Sequence, residues 1–235
     1  MFTLDRVVPW GRSFDEYRRM FALTDADLTS SIVGCADGPA SFNAEATARG
    51  HSVISCDPIY RFSTAEIRRR ISETTDVIVD QTRRNQHEFV WTSIRSVEEL
   101  REIRTSSMDT FLDDFDAGKR QGRYVVAELP TLPFGHASFR LALCSHFLFL
   151  YSAQLSEDFH VSAALEMCRV AAEVRIFPLV ALGAVRSSHV AAVTERLRRA
   201  GHSVRIEKVD YEFQRGGNEM MRVGHHEDAK VTKAT

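Results

Sequence analysis

The sequence predicts a single α/β domain built on a mainly parallel sheet flanked by helices. Apolar runs of strand length alternate with amphipathic segments of helix length along most of the chain. A length of 235 residues suits one sizeable domain. Hydrophobic and charged contents of 44% and 26% are typical of folded globular proteins and argue against disorder.

A βαβ unit opens this pattern. Strand, glycine-rich turn, helix and second strand follow one another in "SSIVGCADGPASFNAEATARGHSVISCDP", residues 30–58. Gly50 suits the C-terminal end of the first helix. Ser63 or Thr64 is placed to cap the long helix that follows, and Glu66 to close a capping box.

The segment 85–122 departs from the alternation. It is longer than a simple crossover requires, and its pattern indicates one or two helices that end at Gly118. Because this segment is too small to bury a core of its own, the sequence predicts a helical insertion between strands two and three.

Five further strands complete a predicted seven-stranded sheet. Ser156 is placed to cap one helix between them, and Gly201 to end another. Pro178 predicts an early end or a bulge in the fifth strand. Residues 226–235 are polar and predict a flexible tail. The five strands are "RYVVAEL", "FRLALCS", "EVRIFPLVAL", "SVRIEKV" and "EMMRVGH".

Charge and hydropathy exclude several classes of protein. A net charge of -2 gives no reason to expect nucleic acid as a partner. No apolar run approaches the ~20 residues that span a bilayer, and the charged N-terminus is not that of a signal peptide, so a cytoplasmic protein is expected. The cysteines lack the short paired spacing of a metal site. The sequence leaves open whether the protein forms a homodimer.

The turn after the first strand has the composition of a nucleotide site. Gly34 and Gly38, with the small Ala36 and Ala40, expose the main chain to a close ligand. Asp57 closes the second strand nineteen positions after Gly38, where a carboxylate accepts both hydroxyls of a ribose. The pattern predicts an adenosine site without the G-x-G-x-x-G fingerprint.

The stretches "GCADGPASF", "GHSVISCDP" and "LPFGHASFRLALCSHFLFLY" resemble the class I S-adenosylmethionine-dependent methyltransferases. The similar order of elements runs from about Gly11 to Val223. The stretches "EYRRMFALT", "DPIY" and "YEFQRGGN" also resemble a narrower bacterial group predicted to be methyltransferases. The resemblance implies a Rossmann-like fold, S-adenosylmethionine as cofactor, and direct displacement of its methyl group onto a small-molecule acceptor.

The resemblance also implies a set of cofactor-binding residues. Glu128 and Leu129 match the family's position near the adenine amine, and the end of strand four lies under the methionine part. An N-terminal helical lid, residues 1–29, would fold over the cofactor, or its helix is simply packed. The implied residues are Gly34, Cys35, Ala36, Asp37, Gly38, Asp57, Pro58, Glu128, Leu129, Cys144, Ser145, Arg12 and Tyr17.

Two residues are candidates for catalysis, each with a structural alternative. His146 is either a general base with a pKa near ~6.5 or a structural histidine beneath the cofactor. Tyr211, in "YEFQRGGN", lines an acceptor site with Gln214 and Arg215, or belongs to a tight hairpin turn. Methyl transfer from a sulfonium needs little acid–base help once the reactants are aligned.

Departures from the family's pattern keep other functions open. Ile32 replaces an acid before the first glycine, and we expect Asp37 to supply the missing charge near the cofactor's ammonium group. Ala40 and Arg140 replace a glycine and an aspartate. The alternatives are a binding or regulatory protein that has lost the cofactor, and a nicotinamide-dependent oxidoreductase.

Overall fold

The computed structural model describes residues 1–225, and the predicted flexible tail, 226–235, lies outside the described residues. The central feature is a seven-stranded sheet, and two further short strands, β6 (Val180–Ala181) and β7 (Val185–Arg186), pair with each other. The sheet contains β1 (Ile32–Cys35), β2 (Val53–Cys56), β3 (Tyr124–Val125), β4 (Phe139–Ser145), β5 (Ala171–Phe177), β8 (His202–Lys208) and β9 (Glu219–His225).

The strands lie in the order β3-β2-β1-β4-β5-β9-β8. The first five pair in parallel, and β9 is antiparallel to both of its neighbours. The order of these five strands is that of the doubly wound nucleotide-binding folds. The predicted Rossmann-like, mainly parallel α/β fold with seven strands is therefore confirmed.

Helices pack on this sheet, and several begin at the predicted caps. Ser63 caps α4 with Glu66 closing the capping box, and Ser156 caps α6. The helices of the described residues are α1 (Phe14–Met20), α2 (Asp25–Leu28), α3 (Phe42–Ala48), α4 (Thr64–Arg84), α5 (Val97–Arg120), α6 (Glu157–Val170) and α7 (Val190–Arg199).

The connection between β2 and β3 contains two long helices, α4 and, inside the predicted insertion, α5. α5 packs against α3 and β3, whereas α4 packs on α5. The edge of the sheet at β3 is thus covered by α5, the helix inside segment 85–122. Helix α4 packs on α5, and its Ile78 joins the core cluster that contains Ile32 of β1. Gly118 lies within α5 rather than at its end. A larger residue does not fit at this position, because the Tyr124 ring lies 2.4 Å from an ideal Cβ.

Alternate residues of the central strands face two separate cores. Val33 of β1 joins a cluster with residues of α6 and α7, whereas the preceding Ile32 joins a cluster with α1 and α3. In the second cluster Tyr17 stacks on Phe42 with ring centroids 4.4 Å apart. Helix α1 is therefore packed into the core. Residues 1–10 of the predicted lid, here called the N-terminal cover, contribute side chains to the wall of the cavity described below.

No helix within residues 1–225 combines the length and the apolar character that crossing a membrane requires.

Candidate functional site

A cavity opens at the carboxyl ends of β1, β2 and β4. The strand order reverses between β1 and β4, so the loops that leave these strands diverge, as they do at the ligand sites of doubly wound folds. The cavity has a volume of about 200 Å³. A single water needs roughly 10–15 Å³, so this space accommodates a molecule of many atoms.

Asp57 and Tyr60 clamp the glycine turn from the end of β2. The Asp57 carboxylate accepts the N–H of Gly38 at 2.9 Å and the N–H of Ile59 at 2.8 Å. The Tyr60 hydroxyl donates to the Gly38 carbonyl at 2.7 Å. Burial raises the pKa of Asp57 to about 6, although the two N–H groups oppose this. The carboxylate is thus fixed at the cavity wall, and each of its oxygens can still accept one further hydrogen bond.

Asp37 lies beneath the same turn, where the protein itself supplies its partners. Its two oxygens accept the hydroxyls of Tyr17 at 2.7 Å and Ser55 at 2.6 Å. Burial raises the pKa of Asp37 to about 6, against the effect of these hydrogen bonds. The carboxylate occupies the space of a Gly34 side chain, since an ideal Cβ there would lie 1.9 Å from Oδ2. Gly34 thus makes room for Asp37.

Replacing Gly34 by alanine is expected to lower the free energy of unfolding by about 2 kcal/mol, because the new methyl group displaces the Asp37 carboxylate from its two hydroxyl donors. Chemical denaturation measures this change. In an Asp37→Ala background the same substitution should cost clearly less, because the obstructing carboxylate is gone. Equal costs in both backgrounds would contradict the steric explanation.

Arg12 brings a buried positive charge to the cavity. Its Nη1 donates to the Trp10 carbonyl at 2.7 Å, while within residues 1–225 its Nε has no hydrogen-bond partner. Burial, together with Arg104, lowers the pKa of Arg12 to about 10, so the side chain stays charged at neutral pH. No salt bridge of the described residues includes Arg12. An anionic group on a ligand would satisfy it.

His146 follows β4 at the cavity wall, with a left-handed backbone of φ 50°. Its N–H donates to the Phe177 carbonyl at 2.7 Å, and its Nδ1 lies 3.0 Å from the Ser145 hydroxyl. Burial, and then the charges of Arg12 and Arg104, hold the pKa of His146 well below its usual value. A proton on this ring would be costly, which favours the structural role over the general base.

Sequence reasoning missed a buried ion pair behind the cavity. Arg104 of α5 is 1% exposed and contacts Glu16 of α1 at 2.5 Å. The Tyr211 hydroxyl donates to the other oxygen of Glu16 at 2.8 Å. Tyr211 is buried and is not among the described residues that line the cavity. The partners are distant in the chain, so no local spacing could have indicated them.

Most of the predicted cofactor residues line one cavity. Gly34 lies behind the wall, and Cys35 and Cys144 point into the core beside α6 and α7. The candidates on the wall are Arg12, Tyr17, Ala36, Asp37, Gly38, Asp57, Pro58, Glu128, Leu129, Ser145 and His146. Gly11 was not predicted, yet its main chain lies against Pro39, with an ideal Cβ 2.1 Å from the carbonyl oxygen. This close approach places Arg12 beside the turn.

The thiols of three neighbouring strands lie side by side beneath the cavity. Cys35 pairs in register with Cys56, and Cys144 follows the residue that pairs with Gly34. Burial raises the pKa of each of these thiols, so they remain protonated packing groups. Residues 1–225 contain no group of three His, Cys, Asp or Glu side chains arranged to hold a metal ion.

Comparison with solved structures finds similar folds at low sequence identity. One is an O-methyltransferase (NcsB1) from neocarzinostatin biosynthesis, with TM-score 0.47 and 13% identity, covering 89% of this chain and 53% of that one. This chain thus spans about half the length of that enzyme. Another is magnesium protoporphyrin IX methyltransferase (ChlM) from Synechocystis PCC 6803, with TM-score 0.45 and 10% identity, covering 90% of both chains.

Sequence comparison finds a relative of similar length, although no family model matches the sequence. The uncharacterized protein MJ0045 of Methanocaldococcus jannaschii is 32% identical over 212 residues, which cover 90% of this chain and 93% of that protein. The chain therefore belongs to the same protein family as MJ0045.

Proposed function

We propose that the protein is an S-adenosylmethionine-dependent methyltransferase that acts on a small molecule. The observation that carries this proposal is the placement of Asp57. Two main-chain N–H groups orient its carboxylate at the rim of a glycine turn, beside a cavity large enough for a nucleoside. A carboxylate held in this way is suited to accept the two hydroxyls of a ribose.

The chemistry of the wall fits this cofactor from end to end. The exposed carboxylate of Glu128 lies on the wall near Leu129, at the end proposed to hold the adenine. Asp57 takes the ribose, and the turn leaves no bulky side chain in the way. The guanidinium of Arg12, whose Nε has no hydrogen-bond partner within residues 1–225, suits the carboxylate of the amino-acid end. The bound cofactor would supply an electrophilic methyl group on a sulfonium.

The protein's contribution to the reaction would then be binding and alignment. Ser145 and His146 form the floor beneath the reacting end, and the first ten residues exclude water from above. With His146 held neutral by its surroundings, the acceptor would be aligned rather than deprotonated by this side chain. Proximity and orientation alone supply much of the rate enhancement of such a displacement.

The cavity itself argues against the two alternatives. In a binding protein that had lost the cofactor, side chains would fill the site, whereas a cavity of about 200 Å³ remains here. The replacements at Ile32 and Ala40 are buried without closing it. A nicotinamide-dependent enzyme would need a dinucleotide turn, and the turn between β1 and α3 lacks the G-x-G-x-x-G spacing.

Calorimetry with three ligands tests this proposal. We expect S-adenosylhomocysteine and 5′-methylthioadenosine to bind, and NADH not to bind. Arg12→Gln should weaken S-adenosylhomocysteine about tenfold or more, because a charge-assisted hydrogen bond is lost, and leave 5′-methylthioadenosine unchanged, because it lacks the amino-acid end.

The exposed Arg120 provides the matched control, since Arg120→Gln removes the same charge far from the cavity. That variant should bind both adenosine ligands like the wild type. Absence of S-adenosylhomocysteine binding by the wild type would refute the proposed function. Equal weakening of both ligands by Arg12→Gln would refute the role of Arg12 alone.

A further inference from the structure

The same cavity extends away from the glycine turn and Asp57 into a mainly apolar part, here called the distal chamber. Its walls come from the N-terminal cover, from α4 and α5, and from the turn before β9. The side chains that define the distal chamber belong to, or pack against, one hydrophobic cluster. This cluster lies on the opposite face of the sheet from the cluster that contains Leu129. The defining side chains are Phe2, Leu4, Val8, Ile78, Leu100 and Phe213.

The outer wall of the distal chamber is tied down by main-chain hydrogen bonds. The N–H of Phe2 donates to the Glu88 carboxylate at 3.0 Å, and the N–H of Val8 donates to the Tyr151 hydroxyl at 3.3 Å. The Gln154 amide donates to the Leu4 carbonyl at 2.6 Å. These bonds leave the side chains of the cover free to face the cavity, so the chamber has a defined apolar wall.

Gln214 lines this chamber, and its side-chain oxygen has an unused capacity to accept a hydrogen bond. Its Oε1 is buried and accepts no hydrogen bond from any described residue. The backbone around it is firmly held, because Gln214 pairs with Phe89 and its carbonyl accepts the Gly217 N–H at 2.8 Å. A buried amide oxygen without a donor is costly, and a donor on a ligand removes that cost.

The charges near the chamber disfavour a cationic ligand. Arg104 lies at its inner end, and its charge is balanced by Glu16 rather than by any group facing the cavity. Arg12 adds a positive charge nearby. The Thr82 hydroxyl, also on the wall, already donates to the Ile78 carbonyl at 2.8 Å. An ammonium ion would therefore enter an apolar space next to two guanidinium groups, and the carboxylate that ties down the outer wall, Glu88, already accepts the Phe2 N–H.

We propose that the distal chamber binds the methyl acceptor, and that this acceptor is an uncharged, mainly apolar small molecule whose hydroxyl or amide N–H donates to Gln214. This inference rests on the proposed function and specifies its substrate class. It selects Gln214 from the polar stretch "YEFQRGGN", where Tyr211 is engaged with Glu16 and Arg215 with the carbonyls of His87 and Phe89.

Three small probes that share one body test the inference in the presence of saturating S-adenosylhomocysteine. They are 4-propylphenol, which has a donor, 4-propylanisole, which lacks it, and 4-propylbenzylamine, which is cationic at neutral pH. Calorimetry should show binding of the phenol, weaker binding of the anisole and none of the amine. Quenching of tryptophan fluorescence provides a second readout, because Trp10 lines the cavity.

Gln214→Leu keeps the approximate size of the side chain and removes its amide. We expect it to weaken 4-propylphenol about tenfold and to leave 4-propylanisole unchanged, so that the two probes bind alike. Gln121→Leu makes the same change at an exposed position at the end of α5 and should alter neither affinity.

The outcomes separate this inference from the proposed function. If S-adenosylhomocysteine binds but the phenol does not, or if Gln214→Leu weakens both probes equally, the inference is refuted and the cofactor site stands. Tighter binding of the amine than of the phenol also refutes it. If S-adenosylhomocysteine itself fails to bind, the proposed function fails first.

Discussion

Asp57→Ala is expected to weaken S-adenosylhomocysteine about 100-fold. Two charge-assisted hydrogen bonds to the ribose hydroxyls would be lost, at roughly 1.5 kcal/mol each, and tenfold in affinity corresponds to about 1.4 kcal/mol. The turn also loses the acceptor of the Gly38 N–H. Asp57→Asn keeps one acceptor oxygen without the charge, so its affinity for S-adenosylhomocysteine should lie between those of the wild type and Asp57→Ala. Calorimetry at pH 7.5 measures the series.

The pH dependence of binding identifies the charge state that matters. The pKa of Asp57 is raised to about 6. In the proposed complex the ribose hydroxyls would donate to the ionised carboxylate. Affinity should therefore be constant well above pH 6 and fall as the pH drops below it, approaching a factor of ten per unit. Asp57→Asn should remove this dependence. Because Asp37 also has a pKa raised to about 6, Asp37→Asn must be titrated alongside.

Two results would contradict the role of Asp57. One is wild-type affinity that does not change between pH 5 and pH 8, and the other is an Asp57→Ala variant that binds like the wild type. Asp113→Ala removes a carboxylate from an exposed position on α5 and serves as the control. Thermal unfolding of each variant checks that a loss of affinity is not a loss of fold.

Local patterns in the sequence were sufficient to predict the parts of the site that are close in the chain. The turn and Asp57 belong to one βαβ unit, where strand length and helix length determine which residues meet. The cap at Ser63 and the break at Pro178 are also local, and the structure has both. These features depend on a few neighbouring residues, so a single sequence contains the information.

The remaining parts depend on contacts between distant segments. Asp37 was expected to face the cofactor's ammonium group, but its oxygens accept hydrogen bonds from the hydroxyls of Tyr17 and Ser55. These two residues lie on other elements, and no helix or strand periodicity in the sequence links them to Asp37. The part of the cavity wall that comes from α5 depends on the contact of Arg104 with Glu16 of α1, which is distant in the chain. Both α4 and α5 have an amphipathic face, so the sequence does not distinguish which of the two helices covers the edge of the sheet.

Glu16→Gln is expected to lower the free energy of unfolding by about 3–5 kcal/mol, because it leaves the buried guanidinium of Arg104 without its counter-ion. Arg12 is also buried nearby, so two positive charges would face each other with the compensating carboxylate gone. In a chain of this length, that loss corresponds to a melting temperature lower by roughly 10 °C. Scanning calorimetry and urea titration measure it.

The pH dependence of this loss follows from the pKa of Glu16. Burial alone would raise that pKa, but Arg104 lowers it to about 2, from the 4.5 of an unperturbed glutamate. A depressed folded-state pKa gives stability that is fully present above pH 4.5 and is lost as the pH falls through 2. The difference between wild type and Glu16→Gln should therefore be constant near neutral pH and shrink in acid.

Tyr211→Phe separates the ion pair from the hydrogen bond that supports it. It removes the hydroxyl that donates to Glu16 and accepts from Arg104, and it keeps the ion pair between Glu16 and Arg104, so a cost of about 1 kcal/mol is expected. Binding of S-adenosylhomocysteine should be unaffected, since Tyr211 does not line the cavity. A loss of binding without a loss of stability would instead return Tyr211 to the site.

The double variant Glu16→Leu/Arg104→Met decides whether the pair stabilises the fold or only avoids an uncompensated charge. Replacing both members of a buried pair by apolar side chains is often neutral, whereas removing one member is not. We therefore expect the double variant to unfold at a higher denaturant concentration than Glu16→Gln. If the two unfold together, the cost lies in the lost contact between α1 and α5 rather than in the charge left on Arg104.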